Sequence, residues 1–165
     1  MLLPFVLLAI IAALIYLPPV QNVIRGKAVS FLKERTGTEV RLEHFALRYP
    51  IGIGLDGLYV EDQHGDTLLF AGTIKARLGL TALLSKNIVL GGIELSDVRA
   101  SVVQQADSTF NFDFIVDAFA SADTSTLADT TGAWGFSIED VELNNIVFHL
   151  DLEPTGLNVD LALGS

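Results

Sequence analysis

The first seventeen residues constrain this chain more than any other part of its sequence. They carry no charged side chain, and Tyr16 supplies their only hydroxyl group. About 20 apolar residues span a bilayer as a helix, and a helix satisfies its own backbone hydrogen bonds in lipid. Tyr16 has the place of an interfacial aromatic residue, and Pro18 and Pro19 end the predicted helix. We therefore predict a transmembrane anchor over residues 1–19.

Two other interpretations of this stretch stay open. A cleaved signal peptide is one, although no basic residue precedes the apolar run and no small-x-small cleavage site precedes the prolines. A buried core helix is the other, and it would require a large domain packed around it. Neither alternative would attach the rest of the chain to a membrane.

Charge is distributed unevenly along the chain. Up to residue 55 there are six Lys or Arg and three Glu, whereas the remainder holds four basic and seventeen acidic residues. A basic segment beside an anchor suits anionic lipid headgroups, and we assign that role to Arg25, Lys27, Lys33 and Arg35. The acidic remainder argues against nucleic acid as a partner, and the absence of cysteine excludes disulfides and thiolate chemistry.

The period of the apolar residues changes after the anchor. Residues 20–37 have apolar side chains at helical spacing and end on Gly37, so they predict an amphipathic juxtamembrane helix. This helix either lies on the headgroups, closes the end of a sheet or packs as an ordinary helix, and the pattern does not distinguish these roles. From residue 38 the period is two, which predicts strands over 38–49, 54–62, 67–80, 87–95, 97–105, 134–152 and 157–163. Residues 63–66 predict a hairpin turn, and residues 110–119 predict a strand end that passes into a short helix.

These patterns divide the chain into a first β segment over 38–120, a polar linker or loop over 121–132 and the start of a further β segment over 133–165. The strands carry one apolar face, and no sequential helices are available to cover it. The sheet either closes as a barrel or sandwich, or leaves an open apolar groove that requires a hydrophobic ligand to cover it. Lipid acyl chains are the natural occupant for a protein anchored in a bilayer.

No pattern predicts catalysis, a metal site or a cofactor. Residues 52–57 fit the letters G-x-G-x-x-G, but a strand follows them where a dinucleotide site needs a helix. The three histidines, His44, His64 and His149, lie on separate segments, and the acidic residues are spread over solvent faces. We therefore expect no enzyme.

Several short motifs in a fixed order carry a family resemblance. They are Leu17-Pro-Pro-Val-Gln21, Arg35-Thr-Gly-Thr-Glu-Val40, Gly57-Leu-Tyr-Val-Glu-Asp62, Gly65-Asp-Thr-Leu-Leu69, Phe110-Asn-Phe-Asp-Phe-Ile115 and Asp117-Ala-Phe119. Over most of residues 1–119 the chain resembles the N-terminal region of TamB-like proteins of Bacteroidetes type, within the AsmA-like superfamily. After the linker, the resemblance depends on the strand pattern alone.

The resemblance implies a mainly β fold in which a transmembrane helix and an amphipathic helix precede an elongated, curved antiparallel sheet with an open apolar groove. It implies an inner-membrane protein with its bulk in the periplasm, moving phospholipid toward the outer membrane together with an outer-membrane barrel of the Omp85 type. The chain would then be the front end of a longer protein. The alternative is a non-conducting envelope scaffold that assists outer-membrane β-barrel assembly or secretion.

The family has no catalytic residues to carry over, so the candidate site is the groove lining. The alternation of the strands proposes Leu58, Val60, Leu68, Phe70, Ile74, Leu78, Val141, Leu143 and Val147. Positive charge follows the anchor and none precedes it, which by the positive-inside rule favours a cytoplasmic sheet. We adopt the periplasmic orientation that the resemblance implies.

Overall fold

In the part of the chain that the structure describes, one open sheet is accompanied by two helices. The computed structural model describes residues 14–48, 52–78, 87–120 and 135–164. Within these residues eight strands belong to the sheet, which confirms the mainly β class. No helix in the described part of the chain is long and apolar enough to cross a membrane. Most of the predicted anchor over 1–19 and the predicted linker over 121–132 lie outside these residues.

The sequence of helix α1 (Pro18–Thr36) explains where the helix begins and where it ends. Pro18 and Pro19 occupy its first positions, where a missing N–H costs no hydrogen bond and the fixed φ already suits a helix. At the other end Gly37 has φ +70° and donates its N–H to the carbonyl of Lys33 at 2.9 Å. The predicted helix over 20–37 is confirmed, and the prolines begin it.

The first four strands are β1 (Val40–Arg41), β2 (His44–Arg48), β3 (Gly52–Glu61) and β4 (Thr67–Leu78). β1 and β2 both pair antiparallel with β3, so the single strand predicted over 38–49 is interrupted between them. The interruption lies at Glu43, opposite Gly57 in the register. The turn predicted at 63–66 is confirmed, since the buried Asp62 carboxylate accepts the N–H groups of His64 and Asp66 at 2.8 and 2.9 Å.

Strand β5 (Asn87–Gln104) runs through the centre of the sheet for 18 residues. The prediction of two paired strands over 87–95 and 97–105 is wrong. Asp97 has the left-handed conformation of a turn, with φ 56°, but Ser96 and Val98 on either side of it both pair with β4. Aspartate tolerates that conformation as a single residue, so the strand continues past it.

The remaining strands are β6 (Gly135–Ile138), β7 (Val141–Leu152) and β8 (Leu157–Leu163). β6 and β7 lie end to end along β5 and run parallel to it, whereas β8 is antiparallel to β7. The sheet is therefore mixed, and the wholly antiparallel sheet that we expected is wrong. A parallel pair requires a crossover connection, and the chain between β5 and β6 provides it.

Helix α2 (Asp113–Ala120) lies within that crossover and confirms the short helix predicted near residues 110–119. It contacts α1 through Phe119, whose ring centroid is 6.4 Å from that of Phe31. The turn that leads from β5 into α2 is fixed by the buried Asn111, whose side chain accepts the N–H of Val103 and donates to the carbonyl of Ser101, both at 3.0 Å.

Candidate functional site

One row of residues divides the sheet into two halves. The register places Gly57, Gly72, Asp97 and Asn145 side by side on β3, β4, β5 and β7, with Glu43 at the end of the row. Three of these residues have a left-handed backbone, with φ +63° at Gly57, 56° at Asp97 and 53° at Asn145. We call this row the crease, the half that contains β2 the lower half, and the half that contains β1 and β8 the upper half.

The crease is held by close packing between neighbouring strands. A Cβ at Gly57 would lie 2.5 Å from Cγ of Glu43, and a Cβ at Gly72 would lie 2.8 Å from Cβ of Asp97. The Asn145 amide donates to the Asp97 carboxylate at 2.6 Å. Glycine therefore fits at these two positions because the backbones and side chains of the row approach too closely for a larger residue.

In the lower half, apolar residues fill two adjacent rows across five strands. The rows are Phe45, Leu55, Ile74, Leu95 and Leu143, then Leu47, Ile53, Ala76, Ile93 and Val141. The residues between them point to the other face and are mostly polar. On that polar face Thr73 donates to Asp56 at 3.2 Å, and Lys75 forms an ion pair with Glu94 at 2.7 Å. The lower half thus has one apolar and one polar face.

In the upper half, the apolar rows continue with the opposite parity. They are Leu58, Ala71, Val98, Ile146 and Leu163, then Val60, Leu69, Ala100, Phe148 and Leu161. Within each strand, the nearest apolar residues on the two sides of the crease are therefore three positions apart, as Leu55 and Leu58 are on β3. In a regular strand, residues on the same face are two positions apart. The crease residue interrupts the alternation of each strand, with a left-handed backbone on β3, β5 and β7, so the apolar side chains of both halves share one side of the sheet. We call this side the apolar face.

The apolar face is covered near the helices and exposed at the far edge. Along the first upper row, Ala71 is 1% exposed and Val98 8%, whereas Leu163 on β8 is 55% exposed. Helix α1 packs against β1 and β2, and α2 packs against α1. Several large apolar side chains on β7 and β8 remain exposed, namely Val141, Leu143, Leu157, Leu161 and Leu163. Apolar exposure of this extent marks an interaction surface in a folded protein.

The structure brings five of the proposed groove residues to the apolar face. They are Leu58, Val60, Ile74, Val141 and Leu143. Leu68 lies at an irregularity in the pairing of β3 with β4 and is 7% exposed, so it belongs to the core. Leu78 pairs with Leu90 at the end of β4, and its side chain lies outside the described residues.

Phe70 and Val147 lie on the opposite face. Phe70 pairs with Tyr59 and Arg99, and Arg99 pairs with Val147. Together with His149 they line a shallow cavity of about 400 Å³. His149 on the wall of this cavity contacts Asp160 at 2.6 Å. The structure therefore separates these two residues from the other proposed groove residues.

Acidic side chains line a second cavity, of about 470 Å³, at the upper end of the sheet. The acids there satisfy local backbone groups. Glu153 accepts the N–H of Ala106 at 3.1 Å, and hydrogen bonds from the Thr109 hydroxyl and N–H lower the pKa of the exposed Asp107 carboxyl. Among the described residues, no three His, Asp or Glu side chains are grouped to hold a metal ion.

Three of the predicted membrane-surface residues contact groups within the protein. Arg25 donates to the carbonyl of Glu43, and Lys33 forms an ion pair with Glu39 at 2.8 Å. Arg35, in the last turn of α1, donates to the carbonyl of Ala118 at 3.4 Å. A residue in a helix rises by about 1.5 Å, so these cations extend along the sheet instead of remaining at one end.

The alternation of the sequence did not identify the apolar residues of the upper half of β7 and β8, such as Ile146, Phe148 and Leu161, as part of the candidate site. The available signal was the three-residue spacing of apolar residues around a glycine or asparagine, as in Leu143 to Ile146 around Asn145. Strict alternation hides this signal because it assigns Leu143 and Val147 to the same face.

The chain was compared with known proteins. It matches no protein-family model, no curated protein and no solved structure.

Proposed function

We propose that this chain carries phospholipid along the apolar face of its sheet. The observation that carries the proposal is the continuous apolar face, which crosses the crease without a break and is exposed over β7 and β8. Burial of acyl chains on this face would remove apolar surface of both the lipid and the protein from water. Such burial stabilises the complex by about 25 cal/mol per Å² of apolar surface. The phospholipid headgroup would stay in water at the edge of the sheet.

The dimensions of the sheet suit this occupant. β7 has 12 residues, and a strand of that length spans about 40 Å. That exceeds the hydrocarbon thickness of a whole bilayer, about 30 Å, and each acyl chain covers roughly half of that thickness. A phospholipid tail therefore fits along the strand with room to move in its direction.

The proposed location is the inner membrane, with residues 1–19 as a single-pass anchor and the sheet in the periplasm. Phospholipid would enter at the anchored end and move toward the outer membrane. An Omp85-type barrel protein in the outer membrane would be the partner at the far end of a longer, TamB-like chain. This assignment is supported by the sequence motifs and by the exposed apolar face, and it requires no cofactor and no catalytic residue.

Leu143→Asp tests the proposal. Leu143 is 42% exposed, so an aspartate there should leave the fold intact while placing a charge where a lipid tail would lie. We expect at least a fivefold loss of co-purifying phospholipid, measured by native mass spectrometry and lipid extraction from the detergent-purified chain.

The chain offers two matched controls for this experiment. Asn144→Asp adds the same carboxylate on the neighbouring residue, which points to the polar face, and Phe70→Asp adds it in the opposite cavity. Both variants should retain lipid. Equal lipid in the Leu143→Asp variant and the wild-type chain, with both folded, would contradict the proposal.

A second candidate function is the non-conducting scaffold, and the β8 edge favours it. Among the described residues β8 pairs only with β7, so its outer side can accept a further strand, as in β-augmentation. The opposite edge is occupied, because Gln21 and Arg25 of α1 donate to the carbonyls of Leu47 and Glu43 beside β2. A lipid-free Leu143→Asp variant that still supports outer-membrane barrel assembly in cells would favour the scaffold.

A further inference from the structure

The shallow cavity in the upper half lies on the face opposite the apolar face, away from the proposed lipid path. Four of its lining residues lie side by side on neighbouring strands, namely Tyr59 of β3, Phe70 of β4, Arg99 of β5 and Val147 of β7. Ser101 and His149, two residues further along β5 and β7, line the same cavity. One row of the lining is therefore mostly aromatic and aliphatic, and the next row on this face offers hydrogen-bonding groups.

The two aromatic rings of the cavity differ in what covers them. The hydroxyl of Tyr59 donates to Glu61 at 2.9 Å, and the guanidinium of Arg41 stacks over the Tyr59 ring at 4.1 Å from its centroid. Phe70 is half-buried, and no ring or guanidinium group of the described residues stacks on it. The Tyr59 ring is thus held in place by its neighbours, whereas the Phe70 ring is available to a ligand.

The polar groups of the cavity include both hydrogen-bond donors and acceptors. Arg99 is exposed and forms no ion pair with any residue that the structure describes, so its N–H groups can donate to a ligand. His149 contacts the Asp160 carboxylate through Nδ1 at 2.6 Å, and its Nε2 atom is available to a ligand. Ser101 pairs with His149 in the register and adds a hydroxyl group. Arginine only donates, whereas a hydroxyl group does both.

Charges of both signs surround the cavity. The register places around it the acids Glu61, Asp97, Asp151 and Asp160 and the bases Arg41, Arg99 and His149. Glu61 contacts Arg41 at 3.8 Å, and Asp97 accepts a hydrogen bond from the Asn145 amide at 2.6 Å. An anion would meet these carboxylates, and a cation would meet Arg99 in the middle of the row. The surroundings therefore favour a neutral ligand.

We propose that this cavity binds a neutral sugar ring, which lies against Phe70 and forms hydrogen bonds with Arg99, Ser101 and His149. The face of an aromatic ring is electronegative, so it attracts the C–H groups that form the apolar side of a sugar ring. Each sugar hydroxyl can donate and accept, which matches a lining that mixes donors and acceptors. The cavity volume of about 400 Å³ lies near the lower end of the range for small-molecule sites, about 300–1,000 Å³.

Saturation-transfer difference NMR tests this inference on the full chain, purified in a detergent that has no sugar headgroup. The probes are glucose, galactose, mannose and N-acetylglucosamine. Sorbitol is the control ligand, because it has the hydroxyl groups of an opened glucose and no ring. We expect saturation transfer to at least one of the four sugars, strongest at the protons on one side of its ring, and none to sorbitol. The signal should fall at least fivefold in Phe70→Leu, which removes the aromatic ring and keeps an apolar side chain, and in Arg99→Gln.

Arg77→Gln is the matched control for Arg99→Gln, because Arg77 is also exposed on this side of the sheet but lies in the lower half, outside the cavity. It should retain the wild-type signal. Absence of saturation transfer to all four sugars would overturn the inference, and so would equal transfer to glucose and sorbitol or an unchanged signal in Phe70→Leu. The inference does not depend on the proposed function, since lipid binding is measured separately with Leu143→Asp on the opposite face.

Discussion

At the scale of single residues, the left-handed backbone of the crease has a free-energy cost that the sheet must offset. A left-handed conformation costs a residue other than glycine roughly 1–2 kcal/mol, and Asp97 and Asn145 both adopt it. The hydrogen bond between their side chains, at 2.6 Å, offsets part of this cost. The crease is retained because without it the apolar residues of the two halves would lie on opposite faces.

Asn145→Val should destabilise the sheet by about 2 kcal/mol, because a β-branched residue is strained at φ 53° and the hydrogen bond to Asp97 is lost. The free energy of unfolding in urea measures this loss. Asn144→Val is the matched control, since Asn144 lies in regular β7 and its φ is negative. If Asn145→Val and Asn144→Val lower the free energy of unfolding equally, the left-handed conformation at Asn145 is not the cause of the destabilisation.

At the scale of elements, the strands differ in how many neighbours protect them. β5 is flanked by β4 on one side and by β6 and β7 on the other, whereas β8 has one neighbour among the described residues. The lower edge of the sheet at β2 is closed by side chains of α1. Among the described residues, the outer sides of β8, of β6 and of the lower part of β7 have no partner strand. Natural sheets usually cover such edges or keep them short.

The rate of amide hydrogen exchange should be lowest in the strands that have neighbours on both sides. We expect amides of β5 between Ser96 and Val102 to exchange at least tenfold more slowly than those of β8, as measured by mass spectrometry of the purified chain, because β5 amides open only when the central sheet opens. Slow exchange over the whole of β8 would show that a further strand pairs with this edge.

The ends of helices and the tight turns could be predicted from the sequence, because residues close together in the chain determine them. Gly37 ends α1, and Asp62 closes the turn between β3 and β4, each through its own hydrogen bonds. The parallel pairing of β5 with β7 could not be predicted, because the register of distant strands depends on long-range contacts. Phe70 was grouped with Ile74 by alternation, and the structure places it on the other face because Gly72 lies between them at the crease.

At the scale of the whole molecule, the sheet has two faces of different chemistry. The apolar face is exposed on β7 and β8, and the polar face carries charged side chains of both signs, such as the ion pair of Lys75 and Glu94. Acidic residues line the cavity at the upper end, among them Asp62 and Glu153.

Site-specific photo-crosslinking in cells tests the central claim, which is that the apolar face holds phospholipid tails. A photoreactive benzoylphenylalanine is placed at Leu161 on the apolar face or at the adjacent Asp160 on the polar face, and adducts are identified by mass spectrometry. We predict phospholipid adducts at position 161 and at least fivefold fewer at position 160. Equal adducts at both positions, or none at position 161 in a folded protein, would contradict the account.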